Sequence, residues 1–301
     1  MKRLLFFAIL AFVSAGLAQA PPTFPRELTS FTPLSAKPIF AGVPGQWDAM
    51  IRERGWIVID KGTWKLYYTG YDSPTGLRRL GLATSPDGLN WTRHPGNPLV
   101  KDEWIEDMTI VKDGDRWIMF AEGKDDQAHW FTSDDGLTWS RRGPIDIRKT
   151  DGSPISPGPY GTPAVVKGDQ SWFLLYERGD RGIWLAESND FTTWKHVQDD
   201  PVMTPGPGEY DRDLIAMNQV IRHEGRYYAI YHGCKNVEDK TKRRWATGLA
   251  TSTDLKRWEK YPGNPLVPLD ENKSSGMVVP VAGGYRLYTM HPQVWAFGPK
   301  K

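Results

Sequence analysis

Only one cysteine, Cys234, occurs in the 301 residues. No internal disulfide can form, so the fold must rest on its apolar core. Long runs of one charge are missing too. The 38 basic and 36 acidic residues leave a net charge of +2, a balance that makes nucleic acid a poor partner. The apolar run Leu4 to Val13 is short of the roughly 20 residues a bilayer needs. No cysteine stands near it to carry a lipid anchor. No spacing of His, Cys, Asp and Glu reads as a metal site, so no obligatory cofactor is expected. Low-complexity segments and a second compositional domain are also missing.

What is present begins with a leader. Lys2 and Arg3 precede the apolar run, and Ala18-Gln-Ala20 follows it. This predicts a secretory signal over residues 1–20 with a small-residue cleavage site. A secreted or periplasmic protein is expected, free of the membrane once the signal is cleaved. The remaining 21–301 are expected to form a single domain.

Within that domain a short motif comes round four times. It reads Ser85-Pro-Asp87-Gly-Leu-Asn-Trp91, Ser133-Asp-Asp135-Gly-Leu-Thr-Trp139, Ser188-Asn-Asp190-Phe-Thr-Thr-Trp194 and Ser252-Thr-Asp254-Leu-Lys-Arg-Trp258. Its serines lie 48, 55 and 64 residues apart. Short strands at such a period signal a β-propeller. The motif aspartates recur at one turn position and are read as turn formers. The motif tryptophans are assigned to packing between blades. That accounts for part of the 14 tryptophans in the chain, although flat indole rings also suit sugar binding.

Blade 2 shows the unit. Met108 to Lys112 is a strand, Asp113-Gly-Asp115 a hairpin turn, and Arg116 to Glu122 the return strand. Ala128 to Ser133 is the third strand, and Trp139 opens a short fourth. The same grammar gives five blades, over about 48–100, 101–150, 157–204, 210–267 and 273–297. The links His94-Pro-Gly-Asn-Pro98 and Tyr261-Pro-Gly-Asn-Pro265 repeat almost unchanged. The last blade runs out of chain after three strands. An N-terminal strand near Lys37 to Ala41 is expected to complete it and close the ring. The predicted fold is an all-β five-bladed propeller.

In a propeller the start of each inner strand and the end of the second strand meet at one mouth. The inner ring is then Arg52-Glu53-Arg54, Glu106-Asp107, Gly161-Thr162, Met217-Asn218 and Ser274-Ser275. The second ring is Thr69, Glu122, Glu177, His232 and Met290. Asp48, Tyr160, Asp211-Arg212-Asp213, Lys273, Asp125-Asp126, Arg178 and His291 fall nearby. Such a density of carboxylates is what glycosidic bond cleavage needs. One protonated carboxyl serves the leaving oxygen, and one ionised carboxylate activates water or attacks.

The stretches Tyr67-Tyr-Thr-Gly-Tyr-Asp72 and Leu80 to Val100, LGLATSPDGLNWTRHPGNPLV, carry a family resemblance. The chain resembles the five-bladed propeller glycosidases of glycoside hydrolase families 43, 32, 117 and 130 over nearly all of 21–301. The family 43 pattern has Asp-Pro opening the inner strands of blades one and three, and Glu-Gly-Pro opening that of blade four. Here only Asp107 of blade 2 keeps an acid in register. The resemblance implies a carbohydrate substrate, an exo-acting and inverting hydrolase, and a plant or algal glycan. Asp48 or Glu53 is then expected as base, with Asp107 orienting it. Glu177, Asp213 or a mouth histidine, His232 or His291, is expected as acid. Arg52, Arg54, Arg178 and Arg212 are expected to bind sugar hydroxyls or an acidic group on the sugar. Glu106, Glu122, Tyr160, Thr162, Asn218 and Lys273 complete the expected binding set. Two other readings share the fold: a glycoside phosphorylase, and a propeller that binds sugar without cleaving it. A sialidase, suggested by the Ser-x-Asp-Gly-x-x-Trp motif, would need six blades.

Overall fold

The structure, a computed structural model, describes residues 24–300. The expected signal segment lies outside the described residues. Among the described residues no helix is long and apolar enough to cross a membrane.

Five separate sheets are arranged as a five-bladed β-propeller. The first four have their strands hydrogen-bonded in chain order from the axis outward. Blade 1 runs Met50–Asp60, Thr63–Tyr71, Arg79–Ser85 and Thr92–Arg93. Blade 2 runs Glu106–Asp113, Arg116–Glu122, Ala128–Ser133 and Ser140–Pro144. Blade 3 runs Gly161–Lys167, Trp172–Glu177, Ile183–Ser188 and Thr193–His196, with Asp146–Arg148 added in parallel at its edge. Blade 4 runs Leu214–His223, Arg226–Cys234, Trp245–Ser252 and Glu259–Lys260. Blade 5 holds Ser274–Val281, Gly284–His291 and Trp295–Pro299. Each inner strand packs on the next, and the fifth packs on the first.

The fourth strand of the last sheet is Phe31–Pro33, antiparallel to Trp295–Pro299. The sequence placed this strand at Lys37 to Ala41. That segment instead makes one bridge, Phe40 to Val294. Pro38 has no N–H to give a ladder. Phe40 turns inward, buried edge-on against Tyr68 at 4.8 Å.

The repeated motif is a turn, as its residue types require. Ser85 Oγ accepts the Gly88 N–H at 2.9 Å, and Asp87 Oδ1 accepts those of Leu89 and Asn90 at 2.8 and 2.9 Å. Ser133 with Asp135, Ser188 with Asp190 and Ser252 with Asp254 repeat the pattern. These backbone donors favour the ionised carboxylate and hold Asp87 and Asp135 below the usual range. The turns also join the blades. Tyr67 OH donates to Gly136 O at 2.9 Å, from blade 1 to blade 2. Tyr288 OH donates to Gly88 O at 3.0 Å, from blade 5 to blade 1. Both glycines have φ near 72° (73° and 72°), and a Cβ at Gly136 would meet the Tyr67 hydroxyl at 2.7 Å. Side-chain bulk is excluded there twice over. The two Pro-Gly-Asn-Pro links dock alike: Asn97 brackets the Leu82 backbone and Asn264 that of Leu249, each bond 2.9 Å.

Candidate active site

The inner strands share a local device. Pairing slips by a bulge between Arg52 and Trp56, Glu106 and Thr109, Gly161 and Ala164, and Met217 and Gln219. Inside three of these bulges sits a left-handed non-glycine residue: Glu53 (φ 55°), Asp107 (46°) and Thr162 (45°). Ser275 (54°) takes the matching place in blade 5. Each such residue costs about 1–3 kcal/mol, and such strain gathers at functional sites. A bulge re-aims a side chain out of the pleat. Here the four residues line one axial cavity of about 370 Å³.

The second-strand ring meets them in register. Arg52 faces Thr69, Glu106 faces Glu122, Gly161 faces Glu177, Ala216 faces His232, and Ser274 faces His291. His291 therefore takes the place the sequence gave to Met290, which is buried in the core beside Gly55.

The cavity is chemically lopsided. Blades 2 and 3 supply Glu106, Asp107, Glu122, Asp126, Glu177 and Asp180. Blades 1, 4 and 5 supply Arg52, Glu53, His232, Trp245 and His291. Burial pushes Asp107 up to about 6, with Arg54 opposing and Glu106 adding. It pushes Asp180 up to about 7, with Glu177 adding and Arg243 opposing. Glu122 rises well above the carboxylate range through burial and the charges of Asp107 and Glu177. Burial also raises Glu177, although it accepts the N–H groups of Asp180 and Gly161. Glu106 rises for the same reason, against Arg52 and Arg78. Gly161 makes this crowding feasible. A Cβ there would stand under 3.0 Å from both the Glu122 and Glu177 carboxylates. Two acids, from blades 2 and 3, fill the space a side chain at Gly161 would take.

The opposite side is arranged differently. Glu53 is ion-paired with Arg52, and His291 Nδ1 lies 3.4 Å from its other oxygen. His232 is pushed down to about 3 by burial and by Arg54, and His291 to about 4 by burial and by Arg52. Both rings are neutral near pH 7. His232 Nδ1 lies 2.7 Å from Asn218 Oδ1. Since the amide oxygen only accepts, Nδ1 carries the proton and Nε2 presents a lone pair to the cavity. Trp245 braces the ring edge-on at 5.1 Å.

Beneath the cavity lies Arg54, fully buried. It donates to Met217 O at 3.0 Å and Pro163 O at 2.8 Å, and also to the carbonyls of Asn218 and Asp107. Its own N–H donates to Asp107 Oδ1 at 3.1 Å. One guanidinium thus ties blade 1 to blades 2, 3 and 4. Burial lowers it only to about 10, so it stays charged.

Of the expected residues, Arg52, Glu53, Glu106, Asp107, Glu122, Thr162, Glu177, His232 and His291 line the cavity. The others do not. Arg54 is the floor and Asn218 the support of His232. Asp48 is buried against Arg93 Nε at 2.7 Å and Tyr68 OH at 2.9 Å, which removes it as a base. Asp213 pairs with Arg212 at 3.3 Å and accepts the Asn236 N–H at 2.9 Å, away from the cavity, which removes it as an acid. Arg212 also reaches Glu209 at 3.7 Å and is nearly half exposed. Arg178 donates to the carbonyls of Ser156, Pro157 and Pro159, fixing a loop rather than a ligand. Tyr160 donates to Gln127 at 3.1 Å. Lys273 sits over Trp295 at 3.9 Å and pairs with Glu271.

Asp180 and Trp245 escaped the sequence reading. Asp180 had a signal: it follows Glu177 in a tight turn, as Asp126 follows Glu122, and both are left-handed (φ 58° and 53°). Trp245 had none, being one of many tryptophans. Among the described residues no group of three or more His, Cys, Asp or Glu could hold a metal ion.

No protein-family model matches the chain. Two uncharacterized proteins from strains of Mycobacterium tuberculosis are each 27% identical over 223 residues, 66% of this chain and 73% of theirs. Among solved structures, a candidate glycoside hydrolase from Parabacteroides distasonis has a TM-score of 0.74 at 16% identity, over 91% of this chain and 97% of that one. A glycoside hydrolase of the family 130 mannoside phosphorylases, targeting β-1,2 mannosidic linkages in Candida mannan, has a TM-score of 0.69 at 17% identity, over 93% and 97%. The β-1,2-mannobiose phosphorylase of Listeria innocua has a TM-score of 0.62 at 17% identity, over 90% and 94%. At these identities the likeness establishes the fold: this chain is built as the propeller glycosidases and phosphorylases are.

Proposed function

We propose that this protein is a secreted, exo-acting, inverting glycoside hydrolase whose reaction takes place in the axial cavity. The observation that carries the reading is the split of its carboxyl groups. Asp107, Glu122, Glu177 and Asp180 on blades 2 and 3 are held towards the protonated form, while Glu53 lines the cavity from blade 1, paired with Arg52. A carboxyl held protonated can serve as acid, and a carboxylate paired with an arginine can serve as base.

In the proposed step Glu177 gives its proton to the leaving glycosidic oxygen as the bond to the anomeric carbon breaks. Water attacks that carbon from the other face and passes a proton to Glu53. One water is consumed, Glu177 ends ionised and Glu53 protonated. Inverting pairs stand roughly 6.5–9.5 Å apart to admit this water, and in this proposal the donor Glu177 and the acceptor Glu53 come from different blades. Neutral His232 and His291 are unsuited to be the acid near pH 7. His232 Nε2 instead accepts a sugar hydroxyl, and Arg52 donates to one. Asp107 tunes the acid cluster and fixes the Arg54 backbone. Buried Arg54 ties the inner strands of blades 1 to 4 together at the axis, an arrangement that favours entry of a chain end from the mouth.

Water is favoured over phosphate because Arg52 is the one permanent cation among the lining residues, against seven carboxyl groups. A phosphate ion would find a single fixed cation there to hold it. Phosphorolysis is the second reading, supported by the Listeria innocua neighbour.

The test is a screen of the purified mature chain against plant and algal oligosaccharides and β-1,2-mannobiose, with and without phosphate, reading products by mass. A free monosaccharide without phosphate supports hydrolysis, and a sugar phosphate formed only with phosphate replaces it. Binding without product favours the non-catalytic reading. Asp107→Asn should then lose on the order of 10³-fold activity with the fold intact; near-full activity would remove Asp107 from the mechanism.

A further inference from the structure

A second cleft, of about 310 Å³, opens beside the axial cavity between blades 1 and 2. Leu77, Trp104 and Phe131 form its apolar side. Neighbours along the chain divide between the two cavities. Trp104 lies two residues before Glu106, and Asp125 one before Asp126, and both of those acids line the axial site. The Trp104 side chain also hydrogen-bonds to Glu106. Its ring is fixed from one side, since the Arg78 guanidinium lies 4.7 Å from its centroid and 4.1 Å from that of Tyr71.

A polar chain completes the cleft. Arg141 pairs with Glu103 at 3.4 Å and donates to His129 Nδ1 at 2.7 Å. With Nδ1 accepting, His129 Nε2–H donates to Asp125 Oδ1 at 3.2 Å. Nothing in the proposed reaction uses this chain. Its charges nearly cancel: Asp102, Glu103 and Asp125 stand with Lys124 and Arg141. A fixed aromatic face beside an ordered, nearly neutral set of donors and acceptors fits a pyranose or furanose ring, apolar on one face and hydroxylated at its rim.

We infer that this cleft is a second glycosyl subsite, which holds the neutral sugar on the leaving-group side of the bond cleaved in the axial cavity. The inference rests on the reading of that cavity as a glycosyl site. A chain end enters the axial pocket, and the next ring lies over Trp104. The bond from Trp104, which lines the cleft, to Glu106, which lines the axial cavity, carries the connection.

The experiment is calorimetric titration of the mature protein with mono-, di- and trisaccharides of the mannan, xylan, arabinan and chitin series, alongside turnover of each. Trp104→Ala should weaken di- and trisaccharide binding roughly tenfold, the equivalent of about 1.4 kcal/mol, and leave monosaccharide binding within about twofold. Trp104→Phe should restore most of the loss. Arg141→Gln, at a side chain 40% exposed, keeps the fold and should act in the same direction. Equal affinity of all variants for every chain length would overturn the subsite while leaving the axial reading standing. Oligosaccharide binding that depends on Trp104 without any turnover would keep the subsite and overturn catalysis. Failure of the wild type to bind any of these sugars would overturn both.

Discussion

Asp180 offers the sharpest test of how the acidic cavity is held together. Its folded pKa of about 7 lies about three units above the ordinary 3.8. At about 1.36 kcal/mol per unit, ionised Asp180 costs the fold about 4 kcal/mol. The sign follows from which state holds the proton. Below the unfolded value both states are neutral, and the fold bears no penalty. As pH rises the unfolded chain loses the proton first, so stability falls until the folded pKa is passed. Asp180→Asn removes the penalty and keeps the shape. Asparagine also tolerates the left-handed backbone at this position (φ 58°). The variant should match wild type at pH 4 and melt roughly 10 °C higher at pH 8, at about 2–4 °C per kcal/mol. Differential scanning calorimetry across that range reads both limbs. Removing one negative charge beside Glu177 should also favour ionised Glu177, so the alkaline limb of activity should move to lower pH. A variant less stable than wild type at pH 8 would refute the reasoning. It would mean that the attraction of Arg243 outweighs burial and the repulsion from Glu177.

Other expectations rest on single contacts. Arg54→Lys leaves several buried carbonyls without a donor, and should cost at least about 3 kcal/mol, seen as a lower melting temperature. Gly161→Ala drives a methyl into the Glu122 and Glu177 carboxylates. It should cost about 1–3 kcal/mol and abolish turnover, checked by calorimetry and the product assay. The pH–activity profile should fall on its alkaline side as Glu177, raised by burial, ionises, with Asp180 beside it ionising at about 7. No limb near 6.5 should come from His232 or His291, held at about 3 and 4; NMR titration of the two rings checks that assignment.

The fold was legible because its signals are local. Ser85 and Asp87 need only their own turn, and the same grammar appears in each repeat. Gly88 and Gly136 stand where no side chain fits. The ring of mouth residues was legible to within a residue, because strand pairing follows from hairpin length. It failed at Met290 because alignment on Tyr285 put the blade 5 partner one residue early; in the structure Ser274 faces His291. Individual roles were less accessible. Asp48 and Glu53 look alike in sequence as acids near the first inner strand. Only three-dimensional contact shows that Asp48 is occupied by Arg93 and Tyr68, while the left-handed bulge turns Glu53 into the cavity. Arg54 could be read as a surface charge run until its carbonyl partners, more than 100 residues away along the chain in blades 3 and 4, came into view.

The repeat and the site pull in opposite directions, and the structure separates them by radius. At the outer turns the blades keep the same residues, because each turn solves the same local problem. At the axis they keep the same backbone device and vary what it carries: Glu53, Asp107, Thr162 and Ser275 in left-handed conformations, with Asn218 at the blade 4 bulge. Five identical side chains there would make a symmetric pocket. The proposed reaction is not symmetric: the leaving oxygen needs a proton donor and the attacking water a proton acceptor. On blades 2 and 3, burial and mutual repulsion raise Asp107, Glu122 and Asp180. Glu53, paired with Arg52, stands on blade 1, with neutral histidines on blades 4 and 5. The cost in stability is borne by a ring whose inner strands are tied at the axis by Arg54. A propeller therefore suits this chemistry for a physical reason: its closed ring holds strained, like-charged groups in place without each blade having to tolerate them alone.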